Sequence, residues 1–96
     1  MDRARAVTIL RAISGYQLSE GRWTRVDRAL RALEEAARSG DQRAAALAVR
    51  DLDLVGPVRL RNRHGDPPRR PIPEETRERL NRLVVEFEER EPAEDG

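Results

Sequence analysis

Residues 19–41 read SEGRWTRVDRALRALEEAARSGD, and this stretch decides the fold. Trp23, Val26, Leu30, Leu33 and Ala37 step by 3, 4, 3 and 4, the spacing of an apolar seam along one face of a helix. Arg25, Arg28, Arg31, Glu35 and Arg38 occupy the opposite face. Ser19 precedes the seam as an N-cap whose hydroxyl can accept from a free first-turn N–H. Gly40 stands where a left-handed C-cap residue belongs, and Asp41 directly after it is an N-cap for the next helix. Gly40-Asp41 therefore reads as a tight turn between antiparallel helices, and the fold class is all-α.

Downstream, the pattern predicts a helix from Gln42 to about Leu54, with Ala45, Ala48, Val49 and Leu52 inward and Leu47 and Leu54 flanking. The small alanines let it lie close to its neighbour. Gly56-Pro57 ends it, since proline excludes the helical conformation from the residue before it. Upstream, Ala6, Ile9, Leu10, Ile13 and Tyr16 predict a helix from about Asp2 to Tyr16. At the far end Pro73 fits the first position of a last helix. Glu74 and Glu75 follow where the helix dipole favours anions, and Leu80, Leu83, Val84 and Phe87 form its apolar stripe. The expected architecture is a small four-helix bundle forming one domain over residues 1–91, with 92–96 a flexible acidic tail.

The remaining stretch, residues 55–72, is a Pro- and Arg-rich connector with no helical pattern. Connections in small domains mostly run ~4–6 residues, and longer ones tend to carry function or stay disordered. Arg59, Arg61, Arg63, Arg69 and Arg70 lie in it with the only histidine, His64, against one acid, Asp66. In extended form Val58 and Leu60 would face one way and Arg59, Arg61 and Arg63 the other. That arrangement suits packing on the bundle with arginines outward, or addition to the sheet edge of another protein. The prolines beyond favour a polyproline-like return.

Composition excludes several function classes. The chain of 96 residues is 38% hydrophobic and 39% charged, with one Trp, one Tyr and one Phe, so its core is small and aliphatic. There is no cysteine, which removes disulfides, thiolate metal sites and a cysteine nucleophile. A single histidine removes a multi-histidine metal site. No apolar run approaches the ~18 residues of a membrane span, and the N-terminus lacks a signal-peptide core, so a soluble cytoplasmic protein is expected. Ser14, Ser19, Ser39, His64 and the carboxylates could do acid–base work, but nothing in the sequence arranges them, and no phosphate loop or metal spacing occurs. The expectation is a non-enzyme with no cofactor.

All 19 basic residues are arginine, a bias that G+C-rich coding explains. Its consequence is physical: guanidinium forks pair bidentately with carboxylates. Net charge is +1, with positive excess in residues 1–40 and, most densely, in the connector, and negative excess after residue 73. The two can pair within the chain, which weakens a nucleic-acid reading. Trp23 reads as core, or as the half-exposed anchor of an interface.

The order Trp23-x-x-Val26, Leu30-x-x-Leu33-x-x-Ala36, Gly40-Asp41, Leu52-x-Leu54-x-x-Pro57-x-Arg59 and Arg79-Leu-Asn-Arg-Leu-Val84 resembles the CATRA-associated small proteins. The likeness runs from Ile13 to Phe87. It implies a small accessory subunit of a bacterial conflict (defence) system whose partners include caspase-like proteases and TPR-type proteins, and it carries over no catalytic residue. The reading that follows is an adaptor or regulatory subunit that binds a larger protein. Arg59, Arg61, Arg63, Arg69, Arg70 and Trp23 are its partner-binding residues, Pro57 shapes the connector, and Asn81 hydrogen-bonds the connector backbone. Two alternatives stand beside it: an antitoxin-like nucleic-acid regulator using the same arginines on phosphates, and a homodimer formed by seams pairing between chains.

Overall fold

A computed structural model describes residues 1–55 and 68–89, and each helix in it starts where a side chain or carbonyl can satisfy its free N–H groups. Helix α1 spans Arg3–Ile13, α2 Glu20–Ser39, α3 Gln42–Leu54 and α4 Glu74–Glu89. Asp2 accepts from the Arg5 N–H at 3.1 Å, Ser19 from Arg22 at 3.3 Å, and Asp41 from Ala44 at 3.0 Å. All three are the N-cap bond to the third helical residue. The fold is all-α.

The α2–α3 turn takes two residues. Gly40 adopts φ 75° and ψ 20°, a left-handed conformation that glycine enters without the Cβ penalty. The Asp41 N–H then donates to the Ala36 carbonyl at 2.9 Å, closing α2, while the Asp41 carboxylate opens α3. One residue thus ends one helix and starts the next.

Two boundaries differ from expectation. The first helix ends at Ile13 rather than Tyr16, because the N–H groups of Gly15 and Tyr16 bond three residues back, to Ala12 and Ile13, and tighten the last turn out of α geometry. Pro73 lies just before α4 rather than at its first position, and its carbonyl accepts from the Arg77 N–H at 2.9 Å. Proline has no N–H to lose there, so the shift of one position costs nothing.

Helix α2 packs against α3 and α4, and α1 packs against the same two, so the four form a closed ring with α1 opposite α2 and α3 opposite α4. The core runs through its centre: Leu10, Ile13, Val26, Leu30, Leu33, Leu52, Leu80 and Leu83 are each less than 2% exposed. The expected stripe of α3 is buried in full, and that of α4 is buried at Leu80, Leu83 and Phe87 with Val84 at the margin. The seam of α2 ends on Ala36, with Ala37 beside it partly buried. Among the described residues no helix is long and apolar enough to cross a membrane.

The ring explains why the connector is long. Thr76 and Arg79 meet Asp27, and Arg79 and Arg82 meet Glu34, so contacts advance together along both helices and α4 runs parallel to α2. Leu54 and Val55 border Arg25 and Arg28, while Pro73 and Glu74 border Glu20 and Trp23. The end of α3 and the start of α4 therefore flank the same end of α2, and the chain between them must pass from one side of it to the other. A two-residue turn cannot do this.

Candidate functional site

The return of the connector is tied to the segment between α1 and α2. Leu18 and Arg70 form an isolated antiparallel bridge: the Leu18 N–H donates to the Arg70 carbonyl at 3.0 Å, and the Arg70 N–H donates to the Leu18 carbonyl at 2.9 Å. The Trp23 indole N–H donates to the same Arg70 carbonyl at 2.8 Å. That oxygen uses both lone pairs, and the indole finds the partner that a buried tryptophan requires. Trp23 is 2% exposed, so its ring is a core group and its polar edge serves the connector.

Local chemistry stiffens residues 68–73. Pro68, Pro71 and Pro73 fix their own φ, and Arg70 and Ile72, each preceding a proline, are confined to extended backbone. Ile72 and Leu18 are buried at 5% and 4% exposure and anchor the two paired segments to the core. Outward stand Pro68, Arg69, Arg70, Pro71 and Pro73, all exposed. Among the described residues neither the Arg69 nor the Arg70 guanidinium has a carboxylate partner. The result is a stiff extended ridge that presents two guanidiniums with no ion pair among the described residues.

Of the other residues singled out in the sequence, Pro57, Arg59, Arg61, Arg63, His64 and the 92–96 tail lie outside the described residues. Asn81 is exposed on α4; among the described residues no hydrogen bond joins it to the 55–72 connector, of which 56–67 lie outside the described residues. The three serines each engage backbone: Ser14 Oγ donates to the Arg11 carbonyl at 2.6 Å, Ser39 Oγ to Ala36 at 3.3 Å, and Ser19 Oγ caps α2. Among the described residues no group of three or more acidic or histidine side chains is placed to hold a metal ion.

Leu18 and Ile72 are the contributors that sequence reasoning passed over. Ile72 carried a signal, being the one aliphatic residue among the prolines that precede the last helix. Leu18 carried little, since a single leucine before an N-cap does not announce a bridge to a residue 52 positions away.

The acidic charge of the last helix does not pair with these described arginines. Asp27 and Glu34 of α2 hold Arg79, at 3.4 and 3.1 Å, and Glu34 also reaches Arg82 at 3.4 Å. Glu88 pairs with Arg11 of α1. Glu20, Asp27, Glu74 and Glu75 line the same surface hollow as Arg70, without an ion pair to it among the described residues.

A family model described as CATRA-Associated Small Protein matches residues 5–91 of this chain. No curated protein and no solved structure matches it.

Proposed function

The chain belongs to the CATRA-associated small protein family, and on that premise we propose that it is a non-enzymatic adaptor or regulatory subunit that docks a larger effector protein. In keeping with the resemblance in the sequence, the effector is a caspase-like or TPR-containing component of a bacterial conflict system. The observation that carries this reading is the Arg70 backbone, held by three hydrogen bonds while the Arg69 and Arg70 guanidiniums stay unpaired among the described residues. An ordered backbone lowers the entropy lost on binding, and exposed guanidiniums supply charge-assisted bonds to partner carboxylates. The exposed prolines add a polyproline surface of the kind that aromatic-lined grooves accept. Arg59, Arg61 and Arg63 extend the same positive charge along the chain.

The test is affinity capture from nuclease-treated native lysate. Wild type runs beside Arg69→Glu/Arg70→Glu and Arg59→Glu/Arg61→Glu baits, with the bound proteins identified by mass spectrometry. The reading expects one effector retained by the wild type and lost by the charge-reversed baits, and the Arg69→Glu/Arg70→Glu bait should melt near wild type because those two side chains are exposed. An effector retained equally by all three baits sinks it. Capture that vanishes with nuclease treatment moves the arginines to phosphate binding, where affinity falls steeply with salt.

A further inference from the structure

Three large hydrophobic side chains stand exposed among the described residues, and two of them, Leu47 at 53% and Leu54 at 70%, share helix α3. Seven residues separate them, nearly two full turns, so they lie on one stripe of the outer face. Arg50 and Asp51 sit between them at the third and fourth positions, where a helix brings residues onto the same side. Both are exposed, and neither has an ion-pair partner among the described residues. The stripe therefore reads apolar, basic, acidic, apolar.

That order is self-complementary. We propose that this face of α3 is a self-association surface whose occupant is a second copy of the chain, the two α3 helices lying antiparallel about a two-fold axis between positions 50 and 51. The axis sets Leu47 of each copy against Leu54 of the other, and Arg50 of each against Asp51 of the other. Each contact occurs twice, as an isologous interface requires. Beside Leu54 the α2–α3 surface has a groove of about 430 Å³ with Ala29 and Val55 at its base and Arg25, Arg28, Ala32 and Asp51 around it, and Leu47 of the second copy packs at its Leu54 edge. A helix from an unrelated protein has no reason to match a pattern with this symmetry. The surface differs from the seams considered in the sequence: those of α2 and α4 are consumed inside the chain, where Val26, Leu30, Leu33, Leu80 and Leu83 are buried.

One helix pair over two turns covers less than the ~1,200 Å² at which specific interfaces become stable, so the dimer is weak and concentration-dependent. Sedimentation equilibrium of the purified chain, from ~10 µM to ~1 mM, should show the mass climbing from 11.0 kDa towards twice that value. Leu54→Glu should hold the mass at the monomer value. Asp51→Arg sets Arg50 against a second arginine and should weaken association about tenfold or more. The swap Arg50→Asp/Asp51→Arg regenerates both pairs with their signs exchanged and should restore it. Circular dichroism melts should leave all three variants folded, because the positions are exposed. A constant monomer mass across the range overturns the proposal, as does association that survives Leu54→Glu or a charge swap that restores nothing.

Discussion

Helix α2 meets α3 through alanines and meets α4 through leucines edged with charge. On the first side Ala36, Ala45 and Ala48 are buried, and among the described residues no ion pair crosses between the helices. On the second side Arg79 sits between Asp27 and Glu34, Arg82 joins Glu34, and Thr76, itself 5% exposed, donates to Asp27 at 3.4 Å. The difference follows from connectivity. A two-residue turn with one left-handed glycine fixes where α3 starts, so that seam needs only close packing. Helix α4 arrives at the end of a long connector, and apolar stripes alone would tolerate a slide of one turn along α2. The charges oppose that slide, because Arg79 shifted by one turn loses one of its two carboxylates. This is the register role that partly buried ionic groups fill best.

The largest effect should come from the residues that both seams share. Leu30 is fully buried, and Leu30→Ala is expected to cost about 2–5 kcal/mol, most of the stability of a domain this small. Urea denaturation followed by circular dichroism measures it. A loss below ~1 kcal/mol would mean the core collapses around the cavity more readily than a closed ring of four helices should.

The next two substitutions separate the seams. Ala48→Leu inserts three carbons where α3 lies close to α2 and should cost about 1–3 kcal/mol through overpacking. Arg79→Ala should cost about 1–3 kcal/mol for a different reason: it leaves Asp27 with Arg31 alone and Glu34 with Arg82 alone, and the two carboxylate side chains are only 23% and 24% exposed. The causes can be told apart. Adding Asp27→Asn and Glu34→Gln to Arg79→Ala should recover part of the loss, since half-buried carboxylates that have lost their inner partner are what costs. The same pair of changes should do nothing for Ala48→Leu. Equal behaviour of the two backgrounds would erase the distinction.

Gly40→Ala tests the turn that makes the first seam local. With φ at 75°, an alanine there is strained even though nothing stands within 4 Å of the added Cβ, and the expected cost is about 1 kcal/mol. Gly21→Ala, inside α2 and equally unobstructed, should instead stabilise slightly. Thermal melts of the two variants should move in opposite directions.

This contrast also separates what the sequence disclosed from what it hid. Ser19, Gly40 and Asp41 act within three to five residues of themselves, so their chemistry is visible in a window of that size and the α2–α3 hairpin follows residue by residue. The apolar stripe of α4 was equally visible, because 3.6-residue periodicity is local. Its placement beside α2 rather than α3 was not, since no short-range signal says which neighbour a helix chooses after a long connector. A clue existed: Asp27 and Glu34 are seven apart, on one face beside the seam, and Arg79 and Arg82 are three apart on the last helix. Reading it requires knowing the parallel register first. The candidate site divides the same way. The stiff prolines and exposed arginines of 68–73 were legible, while the Leu18 bridge and the Trp23 indole bond to the Arg70 carbonyl join residues about fifty positions apart.

The smallest expected effect sharpens the comparison most. Arg38 and Glu35 form an ion pair of the same chemistry as Arg79 and Glu34, both at 3.1 Å. They differ only in surroundings. Arg38 and Glu35 are 68% and 70% exposed and lie within one helix, so water screens the pair and solvates whatever remains when one partner is removed. Arg38→Ala should therefore cost no more than about 0.5 kcal/mol, within error of zero in a urea titration. If Arg38→Ala and Arg79→Ala destabilise to the same degree, position in the α2–α4 seam confers nothing, and the register of α4 must be set by its leucines alone. A several-fold larger loss for Arg79→Ala, recovered in part by neutralising Asp27 and Glu34, places the charges in the role that connectivity leaves open: marking where a helix arriving from a distance must stop.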